Sequence, residues 1–210
     1  MFQLISATPS PYARKVRIAL IEKNIPFKLI TEVPWNNDAI TPKYNPLAKL
    51  PVLLLDDESS IYDSRFILEY LELMFPRVPL LPSDVPGRLC AKQFEVLSDG
   101  VCDAVVLLFF ERMRGENESQ DWSARQIRKI QGGVGEIARL IDQRTYAVGN
   151  SFSLGDISVG SALGYLSVRF TEFNWRKLYP SLAQYFSVLE QRTSFKETVP
   201  YPQTISDKVV

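Results

Sequence analysis

The stretch Ser6-Ala7-Thr8-Pro9-Ser10-Pro11-Tyr12 decides how the first half of the chain is read. Before it, Phe2–Ser6 is a short apolar run suited to a buried strand. After it, Val16, Ile18, Ala19, Leu20 and Ile21 recur as they do on a helix, which predicts one over 11–23. Ser10 is a good N-cap and Pro11 a good first helical residue, because the amide hydrogen that proline lacks is not needed there. A helix start leaves free backbone N–H groups and a partial positive charge, an environment that stabilises a thiolate. The Ser10 hydroxyl can do no more than cap the helix, or it can also donate a hydrogen bond to a bound thiolate and lower that thiol's pKa. The segment alone leaves both readings open.

Outward from this turn, strand and helix alternate. Residues 27–31 read as a second strand. Pro34, Asn36, Asn37, Pro42, Asn45 and Pro46 mark an irregular stretch with at most a short helix. Residues 52–55 and 60–62 read as two more strands around the turn Asp56-Asp57-Glu58, and Asp63 or Ser64 caps a helix to residue 74. Pro76, Pro79, Pro82 and Pro86 then form a connector. Beyond it only helices are predicted, over 88–114, 121–144, 154–170 and 180–191, and the tail after Pro200 is expected to be loose. Gly132, Gly133 and Gly135 are weak points of the second of these. The third is apolar nearly all round and is expected at the centre. The order βαβαββα followed by helices gives an α/β plus all-α architecture, divided as 1–78, a linker 79–87, and 88–210.

Three more segments carry information. In Asn45-Pro46-Leu47-Ala48-Lys49-Leu50-Pro51-Val52, a proline opening a strand can hold a cis bond. It would turn the N–H and C=O of Leu50 outward, free to pair with a peptide. In Tyr62-Asp63-Ser64-Arg65, an acid and a hydroxyl at a helix start could receive an amino-acid head group, its ammonium on Asp63 and its carboxylate on Ser64 and the helix N–H groups. Plain capping is the simpler alternative. In Gly149-Asn150-Ser151-Phe152-Ser153-Leu154-Gly155-Asp156, Ser153 and Asp156 have capping-box spacing, with Asp for the usual Glu, which is a folding role.

Together these segments resemble the cytosolic glutathione S-transferase family over essentially the whole chain. The S-P-Y-A-R-K-V-R-I-A-L run is similar to the serine-type classes, including tau and zeta, or to an unassigned bacterial-type class. N-P-x-x-K-x-P-V-L matches the family's glutathione loop, D-S its γ-glutamyl site (usually E-S), and G-x-x-x-S-x-x-D the capping box of its central helix. The resemblance implies an N-terminal thioredoxin-like domain, a helical C-terminal domain, and a transferase that activates glutathione for conjugation to, or peroxide reduction of, a small hydrophobic electrophile. Ser10 would be the activating hydroxyl, with Thr8 as the alternative in an uncertain loop register. Lys49 would lie near the glycyl carboxylate, Leu50 before a cis Pro51 would pair with the cysteinyl unit, and Asp63 and Ser64 would hold the γ-glutamyl end. Trp35 is a further candidate at the glutathione site, and Tyr12, Phe109, Phe110 and Phe170 are candidate walls for the electrophile. No cysteine stands near position 10, so the mixed-disulfide chemistry of the cysteine-type members is not expected. A homodimer is implied as well. Two other functions fit the same scaffold: a non-catalytic interaction protein of the stringent-starvation type, and a carrier of apolar ligands.

Composition narrows the field further. Lysine plus arginine and aspartate plus glutamate both number 24, so neither a nucleic-acid nor a membrane partner is indicated. The chain has no histidine, which removes histidine-based triads and most zinc sites, and no metal is expected. Glutathione is expected as co-substrate, with no permanently bound cofactor. Cys90 and Cys102 fall on one predicted helix roughly 18 Å apart, too far for a disulfide. Free thiols suit a cytoplasmic protein. The first ten residues have no basic start or long apolar run and are not expected to be a secretory signal.

Overall fold

The computed structural model describes residues 1–209, which form two compact units. Met1–Leu80 and Thr193–Val209 make the first and Leu81–Arg192 the second. The last residues thus belong with the N-terminal unit, a correction to the expected division, in which 88–210 stand together.

In the first unit, strands β1 (Phe2–Ser6), β2 (Phe27–Thr31), β3 (Val52–Leu54) and β4 (Ser60–Tyr62) form one sheet in the order β2-β1-β3-β4. β1 and β2 are parallel, while β3 runs antiparallel to both β1 and β4. Helices α1 (Pro11–Glu22) and α2 (Ser64–Met74) pack on each other. The second helix of the expected order is a single 3₁₀ turn, Thr41–Lys43, as the prolines and asparagines around it require. Register puts Leu4 opposite Leu53 and Ile5 opposite Val52, so each pair lies on its own face of the sheet. Ile5, Val52 and Leu54 are covered by Ile30, Ile40, Tyr44, Leu50 and Tyr62. Each fully buried side chain of this kind stabilises the fold by about 1.5–3 kcal/mol.

Lys23, at the end of α1, fastens the end of α2. Its ammonium pairs with Glu72 and donates to the carbonyls of Phe75 and Val78, satisfying orphan acceptors where the helix dipole favours a cation. At the other end of the chain, α8 (Thr193–Lys196) lies against α1. The buried Arg14 guanidinium donates to Thr198 Oγ1 and the Phe195 carbonyl and covers the Phe195 ring. Arg17 donates to the carbonyl of Glu197, and the Ser194 hydroxyl to Glu22. The tail beyond Pro200 has no regular structure, yet it is tied down rather than loose: Tyr201, Gln203, Ser206 and Asp207 all bond to the first unit's loops.

The second unit is built from α3 (Val85–Met113), α4 (Gln120–Ile141), α5 (Leu154–Arg169), α6 (Trp175–Leu178) and α7 (Pro180–Leu189). α3 begins three residues before the expected start, because Pro86 sits in its first turn, where proline is tolerated, and the Asp84 carboxylate caps Gly87 N–H at 2.7 Å. Gly133 is not a weak point. A Cβ there would run into Val101, so the glycine lets α4 approach α3. α5 is buried from Leu154 to Leu166. Its start is held by Asp156, whose carboxylate accepts from Ser153 N–H and hydroxyl, Ala147 N–H and the Tyr185 hydroxyl. Cys90 and Cys102 are both free thiols, the first half-buried and the second buried. No helix among the described residues is long and apolar enough to cross a membrane.

Candidate functional site

The sheet register gathers the candidate residues of the first unit at one edge. Ser6 pairs with Thr31, Ile5 with Val52, and Val52 with Tyr62. The chain leaves this row towards Thr8 and Ser10 from β1, towards Trp35 from β2, and towards Asp63 and Ser64 from β4, and it enters β3 through Leu50 and Pro51. Strands lie about 4.8 Å apart, so β1 to β4 spans about 10 Å, the length of an extended tripeptide.

Ser10 caps α1: its Oγ accepts from Ala13 N–H at 3.2 Å, and its own N–H donates to the Ala7 carbonyl at 3.1 Å. Accepting that bond leaves the hydroxyl proton available to a ligand. Thr8 differs. It is 8 % exposed, its hydroxyl donates to the Tyr201 carbonyl and its N–H to Gln203 Oε1, both at 3.2 Å.

The Leu50–Pro51 bond is cis, as the resemblance implies. Neither the N–H nor the C=O of Leu50 has a hydrogen-bond partner among the described residues. Buried Asn45 shapes the loop before it. Its Nδ2 donates to the Lys49 carbonyl at 2.8 Å, and its Oδ1 accepts from Leu47 N–H at 3.0 Å. The Lys49 side chain is exposed.

Asp63 caps α2, its Oδ1 accepting from Arg65 N–H at 2.8 Å. Its backbone stands at φ 67°, ψ 127°, a region that a side chain disfavours by about 1–3 kcal/mol and that clusters at functional positions. Ser64 is buried, and its hydroxyl bonds to no other described residue. Two helix N-termini, those of α1 and α2, therefore open at the same edge of the sheet, and both favour anions.

Trp35 is largely exposed and Tyr12 half-buried in the first unit. In the second unit Phe109 and Phe110 are half-buried and meet edge to face, with the Arg169 guanidinium over Phe109. Phe170 is 3 % exposed, stacked on Phe173 and covered by Arg112, so almost none of its surface is open to a ligand. Glu32 and Gln203 brace the loops around the site and are not singled out in the sequence: Glu32 accepts from Ile40 N–H, Thr41 N–H and the Thr41 hydroxyl, and the partners of Gln203 are backbone groups of distant segments, which leave no signal.

Residues 9–74 match the family model of the glutathione S-transferase N-terminal domain, and residues 120–187 that of the C-terminal domain. The GST-like protein YibF of Escherichia coli is 33 % identical, covering 94 % of this chain and 98 % of its own. A solved glutathione S-transferase of Methylobacterium radiotolerans, in complex with glutathione sulfonate, is 58 % identical with a TM-score of 0.98, covering 100 % of this chain and 99 % of its own. One from Methylobacillus flagellatus with glutathione bound is 37 % identical with a TM-score of 0.91, covering 95 % of this chain and all of its own. With a thioredoxin-like sheet, a helical C-terminal unit and both domain models matched, the chain belongs to the glutathione S-transferase family.

Proposed function

We propose that the protein is a glutathione transferase that binds glutathione along the sheet edge and adds its thiolate to a small hydrophobic electrophile. The observation that carries this reading is the convergence of three unspent features: the Ser10 hydroxyl proton, the Leu50 backbone with no partner among the described residues, and the Ser64 hydroxyl beside Asp63 at the start of α2. The glutathione sulfonate and the glutathione bound to the two bacterial relatives support it.

Leu50 N–H and C=O pair with the cysteinyl unit. Asp63 takes the γ-glutamyl ammonium, the Ser64 hydroxyl and the α2 N–H groups its carboxylate, and exposed Lys49 the glycyl carboxylate. Ser10 donates to the sulfur at the N-terminus of α1. A hydrogen bond to an anion contributes about 1.5–3 kcal/mol and a helix start up to about 1, enough to bring a thiol from about 8.5 to near neutrality. The thiolate's electron pair then forms the carbon–sulfur bond as the leaving group departs. With a hydroperoxide, the sulfur attacks the terminal oxygen, the O–O bond breaks, and the alkoxide leaves and takes up a proton as the alcohol. A second glutathione thiol then reduces the resulting sulfenic acid to the disulfide and water. Ser10 is preferred to Thr8, whose hydroxyl proton is committed to the tail. Tyr12 in the first unit and, separately, Phe109 and Phe110 in the second are half-buried and keep part of their apolar surface exposed.

A homodimer is part of the proposal. Phe66, Leu73 and Met74 on α2, and Val85, Leu89 and Val96 on α3, are exposed apolar residues at spacings that make a stripe on each helix. Sedimentation at micromolar concentration should show a dimer. Cytoplasmic residence is proposed from the two free thiols.

Titration with reduced glutathione, followed by turnover with an aryl halide and a hydroperoxide, tests the function. Saturable binding with turnover is expected. Absence of binding by the folded protein would favour the second reading, a non-catalytic interaction protein. That reading is supported by a stringent starvation protein A homologue of Haemophilus ducreyi, 26 % identical over 95 % of this chain and 90 % of its own.

A further inference from the structure

We infer that Gln203, in the C-terminal tail, is a positioning residue for thiol activation, joining the turn that carries Ser10 to the loop that carries Leu50. The inference rests on the glutathione reading above. Pro9 and Pro11 have no amide hydrogen, so between Thr8 and Pro11 only Thr8 and Ser10 can donate from the backbone. Ser10 N–H closes its own turn on the Ala7 carbonyl. The turn is tied to the rest of the unit through Thr8, whose N–H goes to Gln203 Oε1 and whose hydroxyl goes to the Tyr201 carbonyl.

Gln203 hands the tether on. Its Nε2 donates to the Glu32 carbonyl at 3.2 Å. The carboxamide can sit only one way round, because an amide N–H can only donate and a carbonyl can only accept. The Glu32 carboxylate in turn accepts from Ile40 N–H, Thr41 N–H and the Thr41 hydroxyl. The Thr41 carbonyl accepts from Asn45 N–H at 2.9 Å, and Asn45 holds the Lys49 carbonyl beside Leu50. A series of hydrogen bonds, linked through the residues that make them, thus runs from the Ser10 turn to the Lys49 carbonyl, one peptide bond before the residue proposed to bind the cysteinyl backbone.

A cavity of about 410 Å³ lies beside the bridge, lined by Gln203 with Ile30, Glu32, Val33, Asn36 and Ile40 among others. Gln203 is part of its wall, so removing the carboxamide enlarges an open space and supplies no replacement partner for Thr8 N–H. A misplacement of about 1 Å between thiol and donor is enough to cost activity.

The test compares wild type with Gln203→Ala and Gln203→Glu, the second retaining an acceptor for Thr8 but no donor for Glu32. Amide exchange is read in the free protein, and glutathione affinity, the pKa of the bound thiol by ultraviolet titration, and kcat are read in the complex. Gln203→Ala should speed exchange at Thr8 by about fivefold, raise the bound thiol's pKa and lower kcat about fivefold at neutral pH, with a smaller loss at high pH where the thiol ionises unaided. Gln203→Glu should fall between the two. A bound-thiol pKa and kcat unchanged in both variants would overturn the inference and leave the transferase reading standing. A wild type that never binds glutathione would overturn both.

Discussion

The side-chain oxygen of Gln203 accepts the backbone N–H of Thr8 although 195 positions of chain separate the two residues. The tail completes the N-terminal unit in the same manner elsewhere: Asp207 accepts from Asn37 N–H at 2.6 Å, and Ser206 N–H donates to Asn36 at 3.1 Å. Ending the chain at Pro200 removes these bonds. Amides of Thr8 and Asn37 should then exchange about fivefold or more faster, since each lost bond is worth about 1 kcal/mol. Amides in α3 and α5 should keep their wild-type protection. Equal exchange at Thr8 and Asn37 in both chains would show that the loops hold themselves.

Ser10 has a structural and a proposed chemical role, and glycine separates them. Glycine caps a helix nearly as well as serine, within a few tenths of a kcal/mol, whereas alanine loses about 1 kcal/mol. Ser10→Gly should therefore leave the urea midpoint close to wild type and still lower turnover by well over about tenfold. Ser10→Ala should lose both. Near-normal turnover in Ser10→Gly would reduce Ser10 to a cap.

Much of this was legible in the sequence because the signals are local. Ser10-Pro11 starts α1, Ser153 and Asp156 start α5, and the Leu50–Pro51 bond is cis where the loop pattern implies it. Pro86 misleads because a proline that breaks a helix interior is tolerated in a first turn. Gly133 misleads because propensity scales count the lost side chain and not the neighbour it would strike. The tail escapes a sequence reading altogether. Three of its partners are backbone groups, of Thr8, Glu32 and Asn37, and a backbone carbonyl or amide leaves no mark in the letters that flank it; the other two, the Thr8 hydroxyl and the Asn36 amide, are polar side chains far away in sequence.

Tyr185 and Asp156 form a buried pair with a calculable pH dependence. Burial raises the Asp156 pKa above the usual carboxylate value, while the Tyr185 hydroxyl and the Ser153 and Ala147 groups pull it back down. The native state thus binds this proton more tightly than the unfolded chain does. Its contribution to stability falls as pH rises from the ordinary carboxylate value through the raised one. The Tyr185 hydrogen bond, 2.7 Å long, favours the ionised form. Tyr185→Phe should therefore cost about 1.5–3 kcal/mol at neutral pH and distinctly less at about pH 4. Urea unfolding at both pH values measures this, and equal losses would mean that the carboxyl keeps one charge state across the range.

Asp63 places function and stability in opposition. Its φ of 67° suits glycine better than aspartate, and its carboxylate caps α2 through Arg65 N–H. Asp63→Gly relieves about 1–3 kcal/mol of backbone strain and forfeits only a few tenths in capping. The variant should be as stable as wild type or up to about 2 kcal/mol more so. It also removes the acid proposed to hold the γ-glutamyl ammonium, so affinity for glutathione should fall about tenfold or more. Asp63→Asn keeps a capping oxygen and the strain but not the charge, and it should lose affinity without gaining stability. If Asp63→Gly binds glutathione as wild type does, the ammonium is held elsewhere and the strained backbone serves only to aim α2 at the sheet edge. If it loses both affinity and stability, the carboxylate stabilises the fold by more than the strain costs, and the loss of binding reports a disordered helix start rather than a missing contact.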